Sequence, residues 1–430
     1  MRYDPIETEL FVRNRERLRG QLKPNSIVIV HANDLLPTNA DGTLALHQNR
    51  DLFHLTGIDQ EETIVVLFPD AKLKREREIL FVRETNDQVA VWEGKKLSKE
   101  QATVASGITR VEWTSSFEDV LMGLVPQVEH IYLSTNEHLR AMRVTETRND
   151  RFIKLCQERF PLHRYERLAP LMHELRMVKD PIEVSMLQKA CDITEAGFRR
   201  VLGFVKPGVG EWEVEAEYLH EFVRRRSRGF AYTPIIGSGA NACVLHYLEN
   251  NQICKDGEML LMDVAAEYGN YNADMTRSIP VNGRFSERQR AVYNSVLRVM
   301  RGANEILRPG ITPTDYQRQV REMMEGELVD LGLLDAHQAK QQNRETLPLV
   351  SEFFMHGTSH HLGLDVHDVC AAHEPIREGM VFTIEPGIYI RKENLGIRIE
   401  NDVVVGKDGN FDLMRNIPIE VEEIEELMNS

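Results

Sequence analysis

The chain has 430 residues, with 67 Asp and Glu against 52 Lys and Arg and a formal net charge of −15. This length is too great for one ordinary hydrophobic core and predicts two domains. The acidic balance argues against nucleic acid or an anionic membrane as a partner. No apolar run at the N-terminus marks a signal peptide, and five scattered cysteines without a CxxC pair suit free thiols in a reducing cytoplasm, the predicted location.

The first part of the chain predicts an α/β domain. Short β-branched runs at 26–32, 63–69, 78–84 and 130–135 alternate with charged segments of helical spacing, such as 98–107 and 136–146. Because no cluster of catalytic residue types occurs here, we interpret this part as a supporting or substrate-restricting domain. We predict that the two domains comprise residues 1–172 and 173–430.

The second part also predicts mixed helices and strands. A helix is expected from Pro181, directly after Asp180, to about Val205, because proline is favoured in the first helical turn. Amphipathic segments at about 286–307 and 313–331 predict two more helices, with apolar, strand-like runs between and after them. The stretch 335–348 is expected to be a loop or an exposed segment.

Two segments of the second domain share one order of residues. Residues 255–263 and 377–385 each read base, acid, glycine, apolar run and then a carboxylate six residues after the glycine. Each segment is followed by turn residues and a second strand that carries another carboxylate, Asp274 or Glu400. The repeated order predicts a duplicated strand pair.

These units contribute four carboxylates in or beside apolar runs, Asp263, Asp274, Glu385 and Glu400. The separations within the pairs, 11 and 15 residues, are odd, so a hairpin with an even loop can place each pair directly opposite on one face. Like charges so placed destabilise a sheet unless something compensates them. Two divalent ions would balance four carboxylates; the alternative is a structural salt-bridge network with Arg398, which lies on the same strand face as Glu400.

Four histidines, His356, His360, His361 and His367, fall within residues 352–369. Spacings of four and seven residues allow His356, His360 and His367 to converge on a cleft, whereas His361 is expected to point elsewhere. Oxygen ligands with one imidazole suit Mn²⁺, Co²⁺ or Zn²⁺.

Together these residues resemble the pita-bread metallopeptidases and, within them, the Xaa-Pro aminopeptidases (aminopeptidase P). The resemblance rests on the motifs at 237–247, 260–281, 355–369, 383–390 and 396–405, and more weakly on 49–59 and 88–98. The metal ligands of that family map onto Asp263, Asp274, His360, Glu385 and Glu400. The resemblance implies a creatinase-like α/β domain followed by a pita-bread catalytic domain.

By the same resemblance, the chain would use two divalent ions, Mn²⁺ first, to release the N-terminal residue from peptides with proline second. Asp274 and Glu400 would bridge the ions, Asp263 would complete one of them, and His360 with Glu385 would complete the other.

The resemblance also assigns roles around the ions. Glu385 would pass a proton to the leaving nitrogen, and His367 would hydrogen-bond the substrate carbonyl. His246 and His356 would line the cleft, and Arg398 would steady the metal-bound carboxylates.

Two other functions stay open on the sequence. A prolidase would use the same ligands to cut Xaa-Pro dipeptides, although Ser359 stands where prolidases tend to have glycine. A non-catalytic binding module with this fold would have lost ligands that this chain retains.

Trp92, one of three tryptophans, allows two interpretations. It packs in the core of the first domain, or it reaches from a neighbouring subunit towards the active site, as in similar aminopeptidases. We expect the latter and therefore a homo-oligomer, a dimer or a tetramer.

Overall fold

The computed structural model describes residues 3–142, 144–343, 348–370 and 374–430. The chain divides into two compact units, and the change from one to the other occurs between Arg176 and Met177. The boundary predicted at residue 172 stays a prediction. Across the described ranges, no helix combines the length and the apolar character that a membrane span needs.

The first unit is an α/β unit, as predicted. Its helices are α1 (Thr8–Arg19), α2 (Arg50–Thr56), α3 (Asp87–Glu93), α4 (Lys99–Ser106), α5 (Phe117–Leu124), α6 (Arg148–Arg159) and α7 (Ala169–Met177), the last of which ends at the change of unit. Its strands are β1 (Ser26–His31), β2 (Ile64–Leu67), β3 (Glu78–Val82), β4 (Arg110–Trp113), β5 (His130–Leu133) and β6 (Arg164–Arg167). They form one mixed sheet in the order β4-β3-β2-β1-β5-β6.

Both faces of this sheet are covered. Val28 and Val30 of β1 belong to one buried cluster, whereas Ile27 and Ile29 belong to another. Because successive side chains of a strand point to opposite faces, the continuous apolar run of β1 serves two cores.

The strands predicted at 26–32, 63–69, 78–84 and 130–135 are β1, β2, β3 and β5, and the predicted helix at 98–107 is α4. The helix predicted at 136–146 is wrong, since its described residues form a turn at Leu139 and Arg140. The Asn136 side chain accepts the N–H of His138 at 3.1 Å, which offers the backbone a local alternative to a helix. The next helix, α6, begins only at Arg148.

The second unit combines long helices with paired strands. Its helices are α8 (Pro181–Leu202), α9 (Glu211–Arg224), α10 (Glu287–Ile306), α11 (Pro313–Asp330), α12 (Ala336–Gln341) and α13 (Val421–Met428). Its strands are β7 (Ile235–Ser238), β8 (Met259–Asp263), β9 (Glu267–Tyr268), β10 (Tyr271–Asn272), β11 (Thr276–Pro280), β12 (Val381–Ile384), β13 (Gly387–Ile390), β14 (Leu395–Arg398), β15 (Asn401–Val404) and β16 (Phe411–Asp412).

The three long helices predicted for this part are α8, α10 and α11. Helix α8 begins as expected, because Asp180 accepts the N–H of Ile182 at 3.0 Å and Glu183 accepts the N–H of Asp180 at 3.0 Å. The stretch 335–348 is not simply a loop: α12 lies in it and is mostly exposed, while residues 344–347 lie outside the described part.

The internal repeat takes the form of two interrupted hairpins. In the first, β8 pairs with β11 and β9 pairs with β10, around a turn in which Gly269 and Asn270 have φ angles of 59° and 70°. In the second, β12 pairs with β15 and β13 with β14. In each hairpin the ladder of backbone hydrogen bonds is interrupted once, and the candidate carboxylates lie at or beside these breaks.

The predicted pairing of the carboxylates is correct in one hairpin and wrong in the other. Asp263 lies opposite Thr276, so Asp274 occupies a diagonal position two residues away. In the second hairpin, Ile384 pairs with Asn401 and Gly387 with Arg398, a shared register that sets Glu385 across from Glu400. The odd separation predicted the common face, but the turn at Gly269 and Asn270 sets a register, the same on both sides of the break, in which the partner of Asp263 lies two residues beyond Asp274.

Candidate active site

Three predicted ligands form a compact cluster. One ligand atom from each of Asp274, His360 and Glu400 lies within 4.8 Å of the other two. Asp274 comes from the break of the first hairpin, Glu400 from the break of the second, and His360 from the loop before β12. Residues far apart in sequence thus meet where both ladders are interrupted.

The imidazole of His360 points its Nε2 into this cluster. Its Nδ1 donates to the carbonyl oxygen of His361 at 3.0 Å, and Nε2 lies 3.3 Å from Oδ2 of Asp274 and 3.7 Å from Oε1 of Glu385. Burial opposes protonation, but the hydrogen bond with Asp274 and the charge of Glu385 raise the pKa of His360 to about 9. Nε2 is therefore the nitrogen oriented to bind a cation.

Glu400 is buried and held by its neighbours. Its Oε2 accepts the hydroxyl of Thr276 at 2.7 Å, and that hydroxyl oxygen accepts Nε of Arg398 at 3.0 Å. Burial, and then the charges of Asp274 and Glu385, raise the pKa of Glu400 well above its ordinary value. The positive charge of Arg398 acts in the opposite direction and lowers the pKa of Glu400, in line with its predicted position beside the carboxylates.

Asp263 is bound by two donors. Its Oδ1 accepts the hydroxyl of Tyr232 at 2.5 Å, and its Oδ2 accepts Nη2 of Arg398 at 2.7 Å. Burial raises the pKa of Asp263 although the Arg398 guanidinium acts in the opposite direction. Asp263 thus connects to the cluster through Arg398 and lies across the first ladder from Thr276.

Glu385 and His356 face each other at the edge of the cluster. Oε2 of Glu385 lies 3.7 Å from Nδ1 of His356, and burial raises the pKa of Glu385 to about 7. Burial and the charge of Arg398 lower the pKa of His356 to about 4, so this imidazole is neutral near pH 7.

The neutral His356 has a defined tautomer. Nδ1 donates to the carbonyl oxygen of Gly357 at 2.8 Å, so Nε2 accepts the hydroxyl of Tyr389 at 2.9 Å. The Tyr389 oxygen in turn accepts Nη1 of Arg398 at 2.7 Å. A continuous hydrogen-bonded chain therefore joins Asp263, Arg398, Tyr389 and His356.

The other predicted histidines lie at different distances from this chain. The ring of His367 packs on that of His360, with centroids 4.1 Å apart. His246 is exposed, and its charge acts to lower the pKa of His356. The ring of His361 instead packs on Phe382, with centroids 4.2 Å apart, which agrees with the expectation that it points elsewhere.

The donor set fits a divalent cation. Asp263, Asp274, Glu385 and Glu400 contribute four carboxylates and His360 one imidazole, and these types suit Mn²⁺, Co²⁺ or Zn²⁺. Buried like charges are costly unless a cation compensates them. The raised pKa values of Asp263, Glu385 and Glu400 express that cost.

The sequence interpretation missed several polar partners of the ligands. Thr276, Thr383, Asp402, Tyr232 and Tyr389 all hydrogen-bond a candidate ligand, Arg398 or His356. The first three stand two residues from Asp274, Glu385 and Glu400. Strand alternation, which identified Arg398, would have placed them on the same face.

Comparisons with known proteins identify the family of each part of the chain. Residues 185–407 match the family model for metallopeptidase family M24, and residues 11–132 match the aminopeptidase P N-terminal domain. The Xaa-Pro aminopeptidase of Escherichia coli is 33% identical over 98% of this chain and 98% of its own. Zinc-substituted E. coli aminopeptidase P in complex with product has a TM-score of 0.88 at 32% identity, covering 99% of both chains.

Pseudomonas aeruginosa aminopeptidase PepP also has a TM-score of 0.88, at 30% identity and with coverage of 99% of this chain and 98% of that one. The second unit accordingly has the pita-bread fold and the first is an aminopeptidase P N-terminal domain. The chain is a member of metallopeptidase family M24.

Proposed function

We propose that the chain is a metal-dependent Xaa-Pro aminopeptidase that releases the N-terminal residue from peptides with proline second. The observation that carries this proposal is the likeness to the E. coli Xaa-Pro aminopeptidase along 98% of both chains. A prolidase is the alternative from the same fold. The presence of all five candidate ligands supports an enzyme over a non-catalytic binding module.

The ligand set supports two divalent ions, with Mn²⁺ as the preferred candidate and Co²⁺ or Zn²⁺ as alternatives. The residues that would hold the ions are Asp263, Asp274, His360, Glu385 and Glu400, and the compact cluster of Asp274, His360 and Glu400 supports this assignment. Bound ions would lower the pKa of a water molecule and so supply a nucleophile near neutral pH.

The side chains around this set can perform the remaining steps. Glu385, at the edge of the cluster beside His356, would carry a proton towards the leaving nitrogen. His367, packed on His360, would donate to the substrate carbonyl as negative charge develops on its oxygen. Arg398 would hold Asp263 in place through the 2.7 Å contact.

Two further histidines would bound the substrate cleft. His356 is held by Gly357 and Tyr389, so it presents a fixed and neutral wall beside Glu385. His246 is exposed in the loop after β7 and is therefore accessible to a peptide. We assign substrate contact to both.

The exposure of Trp92 supports a homo-oligomer, a dimer or a tetramer. This side chain is 81% exposed at the end of α3, which excludes the alternative of a packed core residue. Glu93 makes a paired ion contact with Arg83, at 2.6 and 2.7 Å, and anchors that end of the helix. We infer that the exposed Trp92 ring, next to this anchored residue, contacts a second copy of the chain.

A cytoplasmic location is supported by the cysteines, because the structure shows no disulfide at any of the five, Cys156, Cys191, Cys243, Cys254 and Cys370.

Substrate length tests the proposal against the prolidase alternative. An aminopeptidase leaves its cleft open beyond proline, so Xaa-Pro-Yaa tripeptides should have higher kcat/KM than Xaa-Pro dipeptides. Peptides with alanine in place of that proline serve as the control and should be much poorer substrates. Efficient cleavage of dipeptides with little action on tripeptides would instead establish a prolidase.

A further inference from the structure

Two side chains outside the ligand set lie directly behind it. Thr383 of β12 and Asp402 of β15 are cross-strand partners, so their side chains share one face of the sheet. Both residues are fully buried. Thr383 and Asp402 stand two residues from Glu385 and Glu400, beside the break in the second hairpin. Asp402 nevertheless hydrogen-bonds Asp274, and Thr383 hydrogen-bonds His360.

Asp402 holds the backbone of Asp274. Its Oδ2 accepts the N–H of Asp274 at 3.0 Å, and the thiol of the buried Cys191 lies 3.5 Å from the same oxygen. Asp274 lies in the break between β10 and β11, where its own N–H bonds a side chain in place of a strand partner. A carboxyl group 128 residues away thus supplies the acceptor at this position.

Thr383 holds the backbone of His360 in a similar way. Its Oγ1 accepts the N–H of His360 at 3.2 Å, and its own N–H donates to the carbonyl oxygen of His360 at 3.0 Å. Thr383 therefore binds both the N–H and the carbonyl group of His360, the one histidine among the candidate ligands.

We infer that Thr383 and Asp402 are a pair of positioning residues that bring Asp274 and His360 together and so determine metal affinity. The two ligands meet with Oδ2 and Nε2 3.3 Å apart, and neither lies on a regular strand. Thr383 and Asp402 are paired across two strands of one sheet, and each holds the backbone of one ligand. The relative position of Asp274 and His360 is therefore set before a cation binds. The inference rests on the metal site of the proposed function.

The test measures Mn²⁺ binding to the metal-free, full-length protein by isothermal titration calorimetry. Asp402→Leu keeps the number and branching of the side-chain heavy atoms but removes the acceptor, so the Kd for Mn²⁺ should rise by about 10- to 100-fold. Asp402→Asn keeps an oxygen that can accept the N–H of Asp274 and should stay within a few-fold of wild type. Rescue by asparagine separates positioning from a general loss of charge.

A matched control is available at Glu183. This buried carboxyl group also accepts one backbone N–H, from Asp180 at 3.0 Å, and one hydroxyl, from Tyr271 at 3.1 Å. Neither Asp180 nor Tyr271 is a candidate ligand. Glu183→Met should lower the Tm of the metal-free protein and leave the Kd for Mn²⁺ unchanged.

Thr383 provides a second and milder pair of variants in case Asp402→Leu does not fold. Thr383→Val replaces the hydroxyl group with a methyl group and should raise the Kd for Mn²⁺ by about tenfold, while Thr383→Ser keeps the hydroxyl group and should stay close to wild type.

Weakened binding in Asp402→Leu and Thr383→Val, with rescue by asparagine and serine, supports the inference. Binding as tight as wild type in either apolar variant would overturn it and leave the proposed function intact. A wild-type protein that binds no Mn²⁺, Co²⁺ or Zn²⁺ would overturn both.

Discussion

At the scale of single residues, burial and like charge act together in the ligand cluster. Asp263, Glu385 and Glu400 have raised pKa values because each carboxylate is desolvated, and neighbouring carboxylates add to the effect. Arg398 compensates part of this charge from one side only. A divalent cation between the carboxylates would relieve the rest, so metal binding should stabilise the folded protein.

Adjacent histidines should behave differently when truncated. His360→Ala removes the imidazole that faces Asp274, so kcat/KM for a proline peptide should fall by orders of magnitude while the circular dichroism spectrum stays native. His361→Ala removes only a ring packed on Phe382 and should stay within a few-fold of wild-type activity, with a lower Tm. The reverse result would show that the wrong histidine has been assigned as the ligand.

A buried histidine in the first unit predicts acid sensitivity. His31 packs against Phe117 and Phe152, and burial lowers its pKa to about 3. Between that value and the ordinary pKa near 6.5, the unfolded chain binds a proton that the folded chain excludes, so stability falls as the pH falls below about 6.5.

The predicted contribution is about 2–3 kcal/mol of unfolding free energy at about pH 4.5. His31→Leu should reduce the stability difference between neutral and acid pH by that amount, as measured by urea unfolding. The same substitution at the exposed His337 is the control and should not change the difference. An unaltered pH dependence in His31→Leu would contradict the assignment.

The sequence indicated candidate ligand residues but not the side chains that hold them. Aspartate and glutamate inside apolar runs are rare enough to be informative, as Asp263 and Glu385 show. Thr276 and Thr383 gave no such indication, because threonine is common in strands whether or not its hydroxyl group holds a ligand. Only the alternation along a strand connects them to the site.

At the scale of elements, the interrupted hairpins explain what spacing can predict. Parity along the chain predicted which face Asp274 and Glu400 occupy, since strand side chains alternate. It did not predict that Asp263 would lie opposite Thr276, because the register of a hairpin depends on which two residues form the turn, here Gly269 and Asn270. The polar character of 335–348 also failed to predict its secondary structure, because the short helix α12 lies in this stretch.

A buried ion pair should be important for the loop that presents His367. Lys179 and Asp368 are 3.0 Å apart and each side chain is 1% exposed, so Lys179→Met would remove the ammonium group that faces the buried Asp368 carboxylate. The expected loss is about 3–5 kcal/mol of unfolding free energy, measured by urea unfolding. The catalytic rate should also fall, because Asp368 adjoins His367.

The exposed pair of Lys154 and Glu146 offers the control. Lys154→Met should leave the Tm nearly unchanged, since surface ion pairs contribute little. The double variant Lys179→Met/Asp368→Leu should recover much of the lost stability. Failure of the double variant to recover would show that the pair acts through some other contact.

At the scale of the whole molecule, the two-domain organisation followed from length and from alternating apolar runs. The pita-bread fold itself was accessible only by resemblance, because composition and periodicity do not specify how two hairpins meet. The ligand order along the chain carried that resemblance. Trp92 shows what the sequence could not predict, since the sequence alone left a core position and an exposed position equally open for this side chain.

An assembly larger than a monomer is expected from Trp92. Light scattering should give a multiple of the 49.5 kDa chain mass at working concentration. Trp92→Ala should remain folded, because the side chain is 81% exposed, but should lose roughly tenfold or more in kcat/KM for a proline peptide. Leu162→Ala, at another exposed apolar side chain, is the control and should be active; a fully active monomer would exclude a cross-subunit role.

The most direct test of the account is the identity of the products formed from an Xaa-Pro-Yaa peptide before and after metal removal. Mass spectrometry should detect the free N-terminal amino acid and the Pro-Yaa fragment with untreated protein, neither of them after exhaustive chelation, and both again after Mn²⁺ or Co²⁺ is added. Full activity in protein shown by elemental analysis to be metal-free, or cleavage at any other bond, would contradict a metal-dependent Xaa-Pro aminopeptidase.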